Sequence, residues 1–401
     1  MDVLAALRAA PGAGPALDAL AGEPAVHVVG GAVRDALLRQ EPRELDFVVE
    51  GDARPVARRA AERLGGEVLV HERFGTVIVR APGVTFDVAS ARTETYPAPG
   101  ALPEVRPGAT LREDLARRDF TVNAMAVRLA DGARTAWPGA QEDLAARVLR
   151  VLHRASFRDD PTRLLRLARY GARLGFVPDP DTDALAEEAV AGGAVGTVSG
   201  GRLGAELRLL LRERQPPALV ALERHGLAAA VVHPAVCVPA EVVAGAQRLC
   251  PPDTRRDLVA LAACCVGVPR RELGPALDRL EFPAGERAIV AAAAESAASV
   301  ADALGEEAGD DARLWRVLRR ARPETVALAG ALRPDAAPAA RRWLDDVRHR
   351  RLAVTGDDFV AAGLAGPAVG DALEAAQLAA LAGKASGRDE QLAAGLAAVR
   401  P

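Results

Sequence analysis

At 401 residues the chain is long enough for two to four domains. Half of it is apolar and 26% is charged, the balance of a chain with a sizeable core and not of a disordered or fibrous one. A net charge of -3 excludes nucleic-acid binding by bulk charge, so any such contact has to come from local basic surface.

Cysteine usage and targeting signals narrow this further. Cys237, Cys250, Cys264 and Cys265 share one region without CxxC spacing, which suits reduced thiols of a cytoplasmic protein better than a disulfide frame or a zinc site. No signal peptide is expected, because the N-terminus lacks a basic start and Arg8 and Asp18 interrupt its apolar stretch. The longest apolar runs, such as Leu258–Val268, are too short to cross a bilayer, so no membrane partner is expected.

Residues 1–25 read as a short helix and a Gly/Pro lead-in. Val28–Leu38 then reads strand, glycine turn, helix. Gly30 and Gly31 allow close backbone approach, and a helix starting there aims N–H groups at whatever lies in front, as a phosphate would require. The run Arg43–Ala53 is a strand carrying acids. Glu44 and Asp46, two apart, share one face, with Leu45 and Phe47 on the other. Two carboxylates beside a glycine turn are a ligand set for Mg²⁺.

A helix over 55–64 and strands over 67–71, 76–80 and 85–88 follow. Asp87 lies on the last, and if that strand pairs beside the Glu44–Asp46 strand the three acids converge. Pro97–Gly108 is rich in Pro and Gly and reads as a mobile loop. In Leu115–Val127, Arg117, Arg118, Asp119 and Asn123 form a polar edge on an apolar segment, and arginine suits two-pronged phosphate contact. Past about Asp143 the chain reads as helical to its end, with breaks near 192–201, 216–217, 251–252 and 334–338. In Phe157–Phe176, Asp160 and Pro161 suit a helix start. Arg163, Arg166, Arg169 and Arg173 recur at three- and four-residue steps as a basic stripe, opposite a buried side of Leu164, Leu167, Ala168 and Leu174.

Six stretches in one order, GGAVRD, LDFVVEGDA, FDVASARTETY, DLARRDFTVNAMA, DDPTRLLRLARYGARLGF and VTGDDFVAAGLAGPAVG, resemble the bacterial class II tRNA nucleotidyltransferases, the group of CCA-adding enzymes and their poly(A) polymerase relatives. The resemblance implies an α/β polymerase-β-like nucleotidyltransferase head (1–143), then an all-α neck that selects the nucleotide (144–205), body (206–330) and tRNA-binding tail (331–401). It implies template-independent addition of CCA, or part of it, to the tRNA 3′ end from CTP and ATP, by two-metal attack on the α-phosphate with pyrophosphate leaving.

Carried onto this chain, Gly30, Gly31, Arg34 and Asp35 would cradle the triphosphate. Glu44 and Asp46 would bind Mg²⁺, with Asp87 as the further acid. Arg118, Asp119 and Asn123 would contact sugar and phosphates. Asp160 and Arg163 would read the base edge, supported by Arg166 and Arg169. Two departures stand out: Glu44 replaces the usual Asp of the metal pair, and Asp159 replaces a Glu in the template stretch. Addition of A or CC alone, poly(A) synthesis, and an RNA-binding homologue impaired at Glu44 are the alternatives. The Pro/Gly loop over 96–111 fits the flexible element that CCA-adding members use in switching from C to A. Arg313, Arg316, Arg319, Arg320 and Arg322, with Arg341, Arg342, Arg348, His349, Arg350 and Arg351, could track phosphates of the tRNA elbow.

Overall fold

The computed structural model describes residues 2–71, 75–306 and 310–399, and the chain divides into two compact units at Ser199/Gly200. The first unit opens with α1 (Val3–Arg8) and α2 (Ala13–Leu20), then β1 (Val26–Val29), α3 (Gly31–Leu37), β2 (Asp46–Val49) and α4 (Ala53–Leu64). β3 (Glu67–His71), β4 (Thr76–Ala81) and β5 (Val84–Ser90) follow, then β6 (Arg92–Thr95), β7 (Glu104–Pro107) and α5 (Leu111–Ala116). The unit continues through β8 (Met125–Arg128), β9 (Arg134–Ala136), α6 (Ala140–Ala146), β10 (Val148–Leu149), α7 (Ser156–Asp159), α8 (Thr162–Leu174), β11 (Val177–Pro178) and α9 (Pro180–Ala191).

Among the described residues seven strands form one sheet in the order β3-β4-β5-β2-β1-β8-β9. β2 and β5 run parallel, and every other neighbouring pair is antiparallel. β1 is buried along its whole length, as four residues of a central strand covered on both faces should be. α4 packs along β3, β4 and β5 on its alanine face. Asp52 caps its start by accepting from the Arg54 N–H, and Gly65 ends it in the left-handed region at φ 63°. Val29, Val48, Ala91, Leu111, Leu115, Ala124 and Ala126 form a core under α5.

Two segments depart from the sequence expectation. The Pro/Gly stretch over 97–108 is not loop throughout, since β7 pairs antiparallel with β6, Glu104 opposite Thr95 and Pro107 opposite Arg92. The hairpin tip is packed down: the Gly100 N–H donates to the Arg158 carbonyl at 3.2 Å, and a Cβ at Gly100 would stand 2.2 Å from Thr197 Oγ1. Past Asp143 the chain is also not purely helical, because β10 and β11 pair in parallel around α7 and α8.

The second unit, from Gly200 on, is helical throughout its described elements. Within the helix Ala284–Glu306, the stretch Ala284–Gly305 is, by length and composition alone, long and apolar enough to cross a membrane, contrary to the expectation that no run suffices. Here it is a packed element. Val290, Ala293, Ala297, Ala301 and Leu304 make a buried stripe, and the helix lies against Arg256–Cys264 and Pro323–Leu332. Its polar residues meet partners outside that stripe, Glu286 with Arg255 at 2.9 Å and Glu295 with Arg270 at 2.8 Å. Several of the tail arginines are likewise paired within the unit: Arg319 with Glu374, Arg342 and Arg350 with Asp311, and Arg348 with Asp253. Cys237 is exposed, whereas Cys250, Cys264 and Cys265 are buried. Burial pushes the Cys250 thiol up to about 11 and the Cys265 thiol up to about 12, and raises Cys264 as well.

Candidate active site

The glycine turn closes β1. Gly30 donates to the Met125 carbonyl on β8 at 2.9 Å and holds φ 70°, ψ −131°, a conformation side-chain-bearing residues rarely adopt. A Cβ there would lie 2.6 Å from Nη1 of Arg118, so the missing side chain is the space the guanidinium occupies. Gly31, the first residue of α3, has its nearest neighbour, Arg34 Nη2, at 3.5 Å.

Next to the turn stand the acids. β2 and β5 pair with Asp46 opposite Asp87, so their side chains share one face of the sheet. Phe47 and Phe86 point to the other face and meet edge to face at 5.5 Å. Both carboxylates are half-buried. Burial, with the charges of Asp87 and Glu44 and against those of Arg118 and Arg166, pushes Asp46 up to about 6. Asp87 is raised by burial and by Glu44, against His71. Glu44 itself is exposed and precedes β2, which begins at Asp46; it belongs to the lead-in and not to the strand. Its charge nevertheless reaches both aspartates.

Among the described residues no three His, Cys, Asp or Glu side chains are grouped so that they could hold a metal ion. Two carboxylates raised by burial and by neighbouring acids are a donor set that a divalent cation relieves.

The segment after α5 supplies the cations. Asp114, fully buried, accepts from Arg117 at 2.7 and 3.0 Å, from Arg118 Nη2 at 3.2 Å and from the Arg92 backbone N–H at 3.4 Å. Arg118 Nε has no partner among the described residues. Glu94 accepts from Arg92 Nε at 3.1 Å, Arg117 Nη1 at 2.9 Å and the Tyr96 hydroxyl at 3.3 Å. Burial, with Glu94 and Asp160 adding and Arg163 opposing, pushes the Tyr96 hydroxyl up to about 12. Asp114 is absent from the sequence candidates, although its three- and four-residue spacing to Arg117 and Arg118 on a helix end was a usable signal.

α8 carries the arginine stripe, but the stripe faces the sheet domain and not open solvent. Arg163 is only 4% exposed; it donates to Ser156 Oγ at 2.7 Å and to the Arg117 carbonyl at 2.8 Å. Arg166 pairs with Asp119 at 2.6 Å, Arg173 with Asp35 at 2.9 Å, and the Arg169 guanidinium stacks over the Tyr170 ring at 4.7 Å. Leu165 is buried, while Leu167, expected on the buried side, is half-exposed. Tyr170, which sequence reasoning missed, also has Arg34 over its ring at 5.3 Å and packs edge-on to Phe120.

Asp119 is buried, which alone would raise its carboxyl; Arg166, Asn123, Arg163 and the Phe120 N–H outweigh this and bring it down to about 2. Asn123 donates to Asp119 at 2.9 Å and accepts from Arg34. Arg34 and Asp35 are each 1% exposed, joined at 2.7 Å. Asp160 accepts from the Thr162 N–H at 3.1 Å and hydroxyl at 2.6 Å at the start of α8. Gly30, Arg118, Asp46, Asp87 and the charge of Arg166 are thus brought together. The charges of Asp160 and Arg163 both reach the Tyr96 hydroxyl, and Arg34, Asp35, Asp119 and Asn123 form a buried network.

Residues 26–150 match the family model described as the poly A polymerase head domain. An A-adding tRNA nucleotidyltransferase of Geobacter sulfurreducens is 46% identical over 195 residues, 48% of this chain, and the match spans only 22% of that protein's length. The multifunctional CCA protein of Xanthomonas campestris pv. campestris is 32% identical over 423 residues, covering 89% of this chain and 98% of that protein. The structure of the Thermotoga maritima CCA-adding enzyme complexed with tRNA(CCA) superposes with a TM-score of 0.80 at 25% identity, over 100% of this chain and 99% of that one.

Proposed function

Since the chain belongs to the tRNA nucleotidyltransferase and poly(A) polymerase family, we propose that it adds CCA, or part of it, to the 3′ end of tRNA in the cytoplasm without a nucleic-acid template, using CTP and ATP and releasing pyrophosphate. One observation carries this reading: Asp46 and Asp87 stand opposite each other across parallel strands, beside a glycine turn that has Arg118 pressed against it.

Asp46 and Asp87, with Glu44 reaching in from the lead-in, would hold the divalent ion that nucleotidyltransferases use, here Mg²⁺. When bound, Mg²⁺ stabilises charge on the α-phosphate and favours the ionised 3′-hydroxyl. Arg118, anchored by Asp114, offers its unpartnered Nε–H and its charge to the triphosphate beside Gly30 and Gly31. Asp119, Asn123 and Arg166 hold the sugar end of the site in one geometry. Asp160 and Arg163, at the start of α8, read the base edge, where a wrong base would leave buried polar groups unpaired. Exposed arginines of the helical unit, such as Arg320 and Arg351, suit phosphates of the tRNA elbow.

A narrower reading, addition of A alone, is kept beside it because the N-terminal half is 46% identical to an A-adding relative, although it is also 45% identical to a CC-adding one. Both are tested by incubating tRNA ending before CCA, at C and at CC with labelled CTP and ATP, with and without Mg²⁺, and sequencing the 3′ ends. CCA from all three supports the main reading, and A on the CC substrate alone supports the narrower one. No incorporation on any substrate, with tRNA binding retained, overturns both.

A further inference from the structure

The geometry points to Arg173 as a positioning residue for this chemistry: through Asp35 it fixes α3, and with it the glycine turn, against the arginine-bearing face of α8. The inference rests on the nucleotidyl-transfer reading above.

The contacts form a closed circuit. Arg173 Nη2 donates to Asp35 Oδ2 at 2.9 Å, and Asp35 Oδ1 accepts from Arg34 Nε at 2.8 Å. Arg34 Nη1 donates to Asn123 Oδ1, Asn123 Nδ2 donates to Asp119 Oδ1 at 2.9 Å, and Asp119 Oδ2 accepts from Arg166 Nε at 2.8 Å. Arg166 and Arg173 are seven residues apart on α8, two turns and about 10 Å along one face. The circuit leaves α8 at one point, passes through the sheet domain, and returns two turns away. Asp35 and Arg34 have side chains 2% exposed and Arg173 13%, so water does not screen these bonds as it would at the surface.

α3 has seven residues and starts at Gly31; Arg34 and Asp35 are buried in it beside Ala32, Val33 and Ala36, so the turn and the helix move as one packed piece. A shift of Asp35 moves Gly30 and Gly31 with it. Arg173 acts through Asp35, its ion-pair partner at 2.9 Å. Removing it leaves Asp35 still paired with Arg34, so the fold is expected to survive.

The test uses the full chain as wild type, Arg173→Gln, Arg173→Lys, Asp35→Asn and the Gln/Asn double variant. Equilibrium binding of CTP and of ATP with Mg²⁺, tRNA binding, Tm and steady-state KM are measured. Arg173→Gln is expected to weaken CTP and ATP alike by about tenfold, the scale of one lost hydrogen bond to a charged group, with tRNA affinity unchanged. Lys, keeping the charge and one donor, is expected between wild type and Gln. Asp35→Asn, which also weakens the Arg34 pair, should lose at least as much as Arg173→Gln, and the double variant should be no worse than Asp35→Asn. Wild-type nucleotide affinity in Arg173→Gln, a change in Tm alone, or additive losses in the double variant overturn the inference. Should Gln misfold, wild-type affinity for both nucleotides in the Lys variant overturns it. Binding is read separately from turnover, so a wild type that binds CTP and ATP but extends no tRNA sinks the functional reading, while the Arg173 comparison is still decided by affinity.

Discussion

Asp46 and Asp87 face each other across the one parallel strand pair of the large sheet, while the residues beside them, Phe47 and Phe86, interlock on the opposite face. The aromatic contact holds the register that puts the two carboxylates together. Asp46→Ala and Asp87→Ala are each expected to lower nucleotide incorporation by at least about 10²-fold, the scale of losing a reacting geometry, with tRNA affinity retained. Single-turnover addition of labelled CMP and AMP measures it, and near-wild-type rates in either variant would refute the assignment.

Glu44 lies just outside β2 and has room to adjust. Glu44→Asp is expected to keep or raise turnover at saturating Mg²⁺. A drop of about tenfold or more would mean that the longer side chain is what this site requires.

Gly30→Ala meets both a positive φ and the Arg118 guanidinium. The expected cost is about 1–3 kcal/mol in stability, together with a marked loss of incorporation. Gly31→Ala, whose nearest neighbour is 3.5 Å away, is expected within about 0.5 kcal/mol of wild type. Urea melts of the two variants give the contrast directly.

Arg163 is buried at the head of α8, between Ser156 and the Arg117 carbonyl. Arg163→Ala is expected to raise misincorporation more than it weakens tRNA binding, and to cost stability by leaving the Arg117 carbonyl unpaired, about 1–3 kcal/mol. Competition between the four triphosphates, read by sequencing the added ends, tests this; equal loss for all four without misincorporation would count against a base-reading role.

Asp119 has a folded pKa of about 2 against an ordinary 3.8. A depressed carboxylate stabilises fully above the unfolded value and loses that stabilisation as pH falls through the folded one. The gap in unfolding free energy between wild type and Asp119→Asn is therefore expected to be constant above about pH 5 and to narrow by about 2 kcal/mol between pH 4 and pH 2. A gap independent of pH would mean that Asp119 is not held charged by Arg166.

The acid cluster was legible because period two is a local property: Glu44 and Asp46 alternate with Leu45 and Phe47 wherever the strand starts, and Asp87 sits in a strand-forming run. That β2 begins only at Asp46 depends on where β5 offers hydrogen bonds, which no local pattern contains. The same holds for Glu104–Pro107. Pro and Gly mark turns, but pairing with Arg92–Thr95 is a contact across a loop. Spacing put Arg163, Arg166 and Arg173 on one side of a helix, and charge alone suggested the wet side. Asp35 and Asp119, far away in sequence, supply the countercharges that turn this side inward. Tyr170 acquires its role only from the arginines packed around its ring, whereas Asp114 had a local signal in its three- and four-residue spacing to Arg117 and Arg118.

Of the four thiols in the helical unit, Cys237 alone is open to solvent, and burial has made the other three poor nucleophiles at neutral pH. A maleimide dye would therefore attach at one address on the natural sequence. The helical half thus carries a ready handle for fluorescence, available without removing a single cysteine.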